Sequence, residues 1–298
     1  MTVEIRDARF LEVVGAQVVC ERLATGFLFT EGPLWNAEDR SLLFTDIPGN
    51  RIHRWRADSG VSIYREPSNM ANGLTADRLG RLVACEHATS RVTRTEADGQ
   101  IIVLASHYDK KELNSPNDVV VKRDGAVYFT DPSYGRLEYF GVKREPEQSI
   151  QGVYRIDPSG EHITLIASDF DQPNGLCFSI DEKQLFVNDT ERGHIRVFSV
   201  TATGSLLGGE VWAQVTGEGG GAPDGMKIDA QGNLFCTGPG GIHVFDRQAK
   251  CLGVIHVPEG VANFTWGGDD MCSLFITATH SLYRIKVATR GIASNANM

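Results

Sequence analysis

The sequence predicts an all-β protein, a six-bladed β-propeller with a central channel, formed as one domain by residues 1–298. Short runs rich in β-branched and aromatic residues recur along the whole chain, separated by Gly, Asp, Asn and Pro. No long segment repeats its apolar residues with the period of a helix. The runs also recur in sets of about 40–50 residues, which is the length of a propeller blade.

Each predicted blade begins with a polar residue that leads into an apolar strand. The starting segments are EGPLW (31–35), ANGLT (71–75), PNDVV (116–120), PNGLC (173–177), PDGMK (223–227) and ANFTW (262–266). The longest interval between them contains an insertion, YGRLEYFGVKREPEQSIQ (134–151). We expect the residues before Glu31, which include AQVVCERL, to supply a strand that closes the ring with the last blade.

The polar residue of each starting segment is expected to face the channel, because the innermost strands of a propeller surround its axis. The six residues are Glu31, Asn72, Asn117, Asn174, Asp224 and Asn263. Turn formation would explain any one of them alone, since Asn and Asp before Gly stabilise turns. A turn requires neither a Glu nor a repeated register, so we favour a polar ring. Two carboxylates among amides suit a hard divalent cation such as Ca²⁺.

Composition narrows the possible partners. The net charge of −9 and the scattered acidic residues argue against nucleic-acid binding, which needs a basic patch. No apolar stretch approaches the roughly 20 residues of a membrane span. The first 20 residues lack the pattern of a signal peptide, so we expect a cytoplasmic protein. The six cysteines form no CxxC pair and are expected to be reduced and buried.

Seven stretches, in order along nearly the whole chain, carry a family resemblance. They are GFLFTEGPLW (26–35), LVACEHATSRVTR (82–94), LNSPNDVVVKRDGAVYFTDPSYG (113–135), GVYRIDPSG (152–160), QPNGLCFS (172–179), PDGMKIDAQGN (223–233) and SLYRI (281–285). Together they resemble the SMP-30/gluconolactonase/regucalcin-like family, and its gluconolactonase branch in particular. The resemblance implies a six-bladed propeller with a calcium ion in its channel.

The resemblance also implies roles for individual residues. The metal ligands of the family fall on Glu31, Asn117, Asn174 and Asp224. Asp224 matches the position assigned as general base or acid, and Asn117 matches one that also contacts substrate. Ser115 replaces an arginine found in the animal members, so the substrate contacts are expected to differ from theirs. Calcium is the expected ion, with Mg²⁺, Mn²⁺ and Zn²⁺ as alternatives.

Further residues near the channel mouth are candidates for binding the substrate or supporting the site. Besides Asn117, the candidate substrate contacts are Ser115, Asn72, Tyr134 and His280. Glu86, His87, Asp131 and Asp189 are weaker candidates, since residues at strand ends commonly form hydrogen bonds within turns. By strand alternation, Asp118 should point away from Asn117 and form a supporting hydrogen bond.

The expected reaction is the hydrolysis of a sugar lactone, D-glucono-1,5-lactone or a relative. A metal would polarise the carbonyl group and water would be the nucleophile. The chain has no GxSxG motif, which disfavours a serine hydrolase. Two alternatives remain from the sequence. One is a phosphotriesterase of the diisopropyl fluorophosphatase type, and the other is a non-catalytic propeller that binds partners. The oligomeric state is open.

Overall fold

A computed structural model describes residues 3–292, and six of its sheets are the blades of a six-bladed β-propeller. The predicted fold class is confirmed. Three elements precede the first blade: β1 (Val3–Ile5), α1 (Phe10–Val14) and β2 (Cys20–Thr25).

Within each blade the strands follow one another from the channel to the outer edge. The first blade consists of β3 (Thr30–Asn36), β4 (Ser41–Asp46), β5 (Arg51–Arg56) and β6 (Gly60–Arg65). The second consists of β7 (Ala71–Ala76), β8 (Leu82–Glu86), β9 (Arg91–Thr95) and β10 (Ile101–Ala105). A short ribbon follows, made of β11 (His107–Tyr108) and β12 (Lys111–Glu112). The third blade consists of β13 (Val119–Val121), β14 (Val127–Asp131), β15 (Gln151–Ile156) and β16 (Ile163–Phe170), with a 3-10 turn at Tyr134–Arg136.

The remaining three blades continue the same order. The fourth consists of β17 (Pro173–Phe178), β18 (Gln184–Asp189), β19 (His194–Val200) and β20 (Leu206–Gln214). The fifth consists of β21 (Met226–Ile228), β22 (Leu234–Gly238), β23 (Gly241–Phe245) and β24 (Cys251–His256). The sixth consists of β25 (Val261–Gly267), β26 (Ser273–Ala278) and β27 (Ser281–Lys286).

The beginning of the chain completes the last two blades. β2 pairs antiparallel with β27 as the outer strand of the sixth sheet, with Cys20 opposite Ile285. β1 pairs with β24 and adds a fifth strand to the fifth sheet. Helix α1 lies between these strands in the chain, and its Phe10 is buried in the largest apolar cluster. The sixth blade therefore contains strands from both ends of the chain.

The apolar core lies between the blades, because each sheet packs face to face against its neighbours. The second strand of each blade is buried along nearly its whole length, unlike the outer strands β6 and β20. Burial on both faces explains why these second strands are continuous apolar runs rather than alternating ones.

Glycines allow the inner strands to approach one another closely at the axis. Four ring residues are directly followed by a glycine: Gly32, Gly73, Gly175 and Gly225. A Cβ at Gly175 would lie 2.0 Å from the carbonyl oxygen of Asp224, in the next blade. A Cβ at Gly32 would lie 2.0 Å from the carbonyl oxygen of Asn72. The backbone at Gly175 and at Gly32 therefore contacts the neighbouring blade.

The structure bears on the expectations about cysteines and membrane spans. All six cysteines are free thiols: Cys85, Cys177 and Cys236 are buried, and Cys20, Cys251 and Cys272 are half-buried. Within residues 3–292, no helix is both long enough and apolar enough to cross a bilayer.

Candidate metal centre and substrate cavity

A cavity of about 260 Å³ lies where the inner strands begin. Its lining combines ring residues with aromatic and polar side chains from the surrounding loops. The lining residues are Phe29, Glu31, Ile47, Asn72, His87, Asn117, Tyr134, Phe140, Asn174, Thr190, Glu191 and Asp224. Five of the six predicted ring residues thus reach one cavity.

Threonines at the ends of second strands hold the backbone of the ring. Thr45 donates to the carbonyl of Asn72 at 3.1 Å, and Thr130 donates to the carbonyl of Asn174 at 2.7 Å. In both pairs the threonine belongs to the preceding blade. Thr237 accepts the backbone N–H of Asp224 at 2.8 Å. The repeated Thr of the FTD and CTG segments therefore sets the position of the ring.

Two carboxyl groups meet at the centre of the ring. The carboxyl of Asp224 is within hydrogen-bonding reach of Glu31 and of the Asn174 amide. Burial raises the pKa of Glu31 to about 7, opposed by the hydrogen bond from the Gly32 N–H and assisted by the nearby charge of Asp118. Burial also raises the pKa of Asp224, with added repulsion from Glu31 and Asp118. Two carboxylates this close are stable as anions only with a compensating positive charge.

Amide oxygens beside these carboxyls are free to bind a ligand. Asn174 donates its Nδ2 to Thr190 at 3.1 Å, while its Oδ1 is buried and has no hydrogen-bond partner among the described residues. The side chain of Asn117 likewise forms no hydrogen bond within residues 3–292, although the residue is only 4% exposed. The buried, unpaired Oδ1 of Asn174, beside two carboxyls, fits an oxygen ligand of a hard cation.

Asn263, the ring residue outside the cavity, supports Glu31. Its Nδ2 donates to Glu31 Oε2 at 3.0 Å, and its Oδ1 accepts the N–H of Phe264 at 2.8 Å. The backbone N–H of Gly32 donates to the same Glu31 oxygen. Because both polar ends of Asn263 are occupied, it orients Glu31 and is not available as a ligand.

The donor set bears on the kind of ion. In the described part of the chain, no three His, Cys, Asp or Glu side chains are grouped to hold a metal. An ion in the ring would therefore need amide oxygens in addition to Glu31 and Asp224. Such a set matches calcium better than zinc, which prefers imidazole and thiolate ligands.

His87 connects the ring to the insertion at 134–151. Its Nδ1 lies 2.8 Å from the carbonyl oxygen of Phe140 and must carry the proton, because a carbonyl can only accept. The lone pair of Nε2 then accepts the Nδ2–H of Asn72 at 3.3 Å. This arrangement directs the Oδ1 of Asn72 elsewhere, and that oxygen has no partner among the residues described. His87 thus determines the orientation of the Asn72 amide.

Burial lowers the pKa of His87 to about 4 from its ordinary 6.5. Since the unfolded chain binds this proton more tightly, the contribution to stability is complete above about pH 6.5 and is lost as the pH falls toward 4. His87→Gln can keep both hydrogen bonds without titrating. In the presence of a chelator, we expect wild type to lose up to about 3 kcal/mol more than the variant across this interval, measured by urea unfolding.

A His87→Phe variant is the control for that experiment. It removes the titration and both hydrogen bonds, so it should be less stable than His87→Gln at every pH. Equal pH profiles for wild type and His87→Gln would show that His87 does not stay neutral in the folded protein.

Two predicted substrate contacts lie outside the cavity. Ser115 is fully buried, donates to the carbonyl of Pro132 at 2.5 Å and accepts the N–H of Gly135 at 2.9 Å. It fastens the start of the insertion. His280 is exposed in the turn between β26 and β27, and its Nδ1 lies 3.1 Å from the carbonyl oxygen of Phe27.

Acidic residues at the ends of the second strands accept hydrogen bonds, two of them from the backbone that leads into their own blade. Asp131 accepts the N–H groups of Asn114 and Ser115, both at 2.8 Å. Asp189 accepts those of Asp171 and Gln172, which lead into its own blade, at 2.8 and 3.1 Å. Glu86 accepts side-chain donors of its own blade, including Thr93 at 3.0 Å. These contacts agree with the turn-bonding alternative for these residues.

Asp118 is buried beside the ring and is absent from the cavity lining. Its Oδ1 accepts the N–H of Val119 at 2.9 Å, which is the supporting hydrogen bond that was expected. Its Oδ2 has no partner in residues 3–292. The side chain also adds a third negative charge close to Glu31 and Asp224.

Several lining residues carry no signal in the sequence. Phe29 and Ile47 precede or follow predicted strands and resemble ordinary core residues. Thr190 and Glu191 follow the VND strand end, and Phe140 lies within the insertion. Phe140 contacts Phe29 edge to face, with ring centroids 5.0 Å apart. Only a three-dimensional structure brings these loop residues to one cavity.

Comparison with known proteins identifies the family. Residues 29–280 match the family model described as the SMP-30/Gluconolactonase/LRE-like region. The chain belongs to this family. A curated gluconolactonase of Zymomonas mobilis is 34% identical over an alignment of 296 residues, and the alignment covers 91% of this chain and 82% of that protein. The protein is accordingly a gluconolactonase-like hydrolase, and the alternative of a non-catalytic propeller is not supported.

Solved structures of the family superpose closely on this chain. A gluconolactonase from Xanthomonas campestris matches with a TM-score of 0.90 and 34% identity, covering 96% of this chain and 95% of that one. A calcium-binding regucalcin from Agrobacterium tumefaciens matches with a TM-score of 0.77 and 20% identity, covering 93% and 96%. The second match concerns the fold alone.

Proposed function

We propose that the protein hydrolyses a sugar lactone, D-glucono-1,5-lactone or a close relative, to the aldonic acid. We further propose that it does so with a divalent cation held by Glu31, Asn117, Asn174 and Asp224. The contact between the carboxyls of Glu31 and Asp224, beside an unpaired Asn174 oxygen, carries the proposal. The gluconolactonases similar to this chain supply the reaction class.

Calcium is the proposed ion. All four proposed ligands present oxygen, and the two carboxylates balance a charge of +2. Mg²⁺ prefers tighter octahedral geometry, and Zn²⁺ prefers nitrogen and sulfur ligands. Mn²⁺ also accepts oxygen ligands and is the closest alternative.

The cation and the residues of the cavity have different proposed roles in the reaction. A bound cation would act as a Lewis acid that polarises the lactone carbonyl. Asp224 is proposed to take a proton from water as the water oxygen adds to the acyl carbon, and to return it to the ring oxygen as the C–O bond breaks. Asn117 is proposed to contact the substrate at the same site. Phe29 and Phe140 form an apolar part of the cavity wall.

Hydrolysis of D-glucono-1,5-lactone, measured with and without a chelator, tests whether turnover requires a cation. We expect a chelator to abolish turnover and added Ca²⁺ to restore it, because the two buried carboxyls need a positive charge to form the site. Parallel additions of Mg²⁺, Mn²⁺ and Zn²⁺ rank the ions by the activity they restore.

Two outcomes would contradict the proposal. Full turnover in the presence of a chelator would exclude the metal site. Hydrolysis of a fluorophosphate or phosphotriester, without turnover of any sugar lactone, would favour the phosphotriesterase alternative.

A further inference from the structure

The charges of the cavity restrict which lactones can enter it. Three carboxylates line the cavity, Glu31, Asp224 and Glu191, and none of the twelve lining residues is Lys or Arg. His87 is neutral near pH 7 because burial lowers its pKa to about 4. The cavity therefore has no positive side chain to receive an anionic group of a substrate.

Among the carboxylates that line the cavity, Glu191 is the one that is not a proposed ligand of the cation. It lies in the exposed turn between β18 and β19, and it forms no ion pair with any Lys or Arg of residues 3–292. Its neighbour Arg192 is directed elsewhere: its Nε lies 3.5 Å from Asp189 Oδ2, and its Nη1 donates to the Asp169 carbonyl at 2.8 Å. The negative charge of Glu191 thus faces the cavity without a partner of opposite sign.

Tyr134 orients this carboxylate. The hydroxyl of Tyr134, at the start of the insertion, donates to Glu191 Oε1 at 3.3 Å. It also lies within hydrogen-bonding reach of Thr190, whose own hydroxyl donates to the carbonyl of Pro223 at 2.7 Å. Because only Oε1 is occupied, Oε2 of Glu191 is available to a hydroxyl group in the cavity.

A carboxylate acts in opposite ways on neutral and anionic substrates. It accepts charge-assisted hydrogen bonds from hydroxyl groups. It repels a phosphate or carboxylate placed at the same distance, and an unpaired charge of this kind is an effective means of rejecting a wrong ligand.

We propose that Glu191, oriented by Tyr134, selects lactones whose remaining substituents are uncharged hydroxyls and rejects phosphorylated or carboxylated lactones. This inference rests on the proposed lactone hydrolysis. Glu191 would bind a hydroxyl of the substrate, and Tyr134 would keep the carboxylate in place. The pair is thus a determinant of specificity separate from the ring.

The test compares kcat/KM for D-glucono-1,5-lactone and for its 6-phosphate at saturating Ca²⁺. Wild type should prefer the neutral lactone by about 100-fold, and Glu191→Gln should reduce that preference about tenfold. Glu191→Lys should reduce it further. The preference of wild type should also fall at about 1 M NaCl, because salt screens exposed charges. A purely structural role for Glu191 would not respond to salt.

Glu138→Gln is the matched control. Glu138 is an exposed acid in the insertion at 134–151, which also contains Tyr134. It is absent from the cavity lining, so its removal should leave the preference for the neutral lactone unchanged. A preference within twofold of wild type in Glu191→Gln, or an equal loss in Glu138→Gln, would overturn the inference while leaving lactone hydrolysis intact. Failure of wild type to hydrolyse either lactone would overturn both proposals.

Discussion

Replacing Asp224 with asparagine is expected to lower kcat for D-glucono-1,5-lactone by about 10²–10⁴-fold at saturating Ca²⁺. Asparagine keeps an oxygen that can bind the cation, as Asn117 and Asn174 are proposed to do, but it cannot accept the proton of water. The backbone is held independently of the side chain, because Asn188 donates to the Asp224 carbonyl at 2.6 Å. Initial rates and calcium titrations on the same preparation separate the two roles.

Glu31→Gln is the comparison variant for that measurement. It removes the same charge from the ring and leaves the proposed base in place. We expect it to weaken Ca²⁺ binding at least as much as Asp224→Asn does, with a much smaller loss of kcat once calcium is saturating. Equal kcat losses in the two saturated variants would show that Asp224 acts only as a ligand.

Gly175→Ala is expected to destabilise the protein by about 3 kcal/mol or more. Its Cβ would lie 2.0 Å from the carbonyl oxygen of Asp224, which belongs to the neighbouring blade. Backbone cannot rotate away as a side chain can, so two inner strands would have to separate. Urea unfolding at about pH 8 measures the loss of stability.

Gly220→Ala provides the control for this substitution. Nothing lies within 4 Å of the position of its Cβ, and its φ is not in the left-handed region, so the free energy of unfolding should change by no more than about 0.5 kcal/mol. A stable Gly175→Ala protein with normal calcium affinity would show that the blades tolerate a wider spacing at the axis.

The sequence predicts the fold and the ring because both repeat. A register that recurs in every blade places Glu31, Asn174 and Asp224 at equivalent positions around one axis, whatever the loops between them do. The prediction extends to Asn263, but its role differs: its amide supports Glu31 and does not face the cavity. Periodicity shows which positions are equivalent, whereas the hydrogen bonds of each residue decide its role.

Features that do not repeat were missed or misplaced. His280 lies in the turn between β26 and β27, and its imidazole lies near the carbonyl of Phe27 and does not line the cavity. Phe140 and His87 are 53 residues apart and are joined by one hydrogen bond. Contacts of this kind depend on the path of the insertion, for which a single sequence gives no period.

The pairing of β2 with β27 has a consequence for the order of folding. Cys20 lies opposite Ile285, so the contact that completes the sixth blade is among the most distant in the chain. Contacts of such sequence separation form late and slow the overall rate. During synthesis β2 stays unpaired until β27 has been made.

Glu31 and Asp224 belong to the two blades on either side of the sixth blade. The contact between their carboxyls therefore depends on closure of the sixth blade. Calcium affinity, followed during refolding, should therefore appear only when the ring is complete.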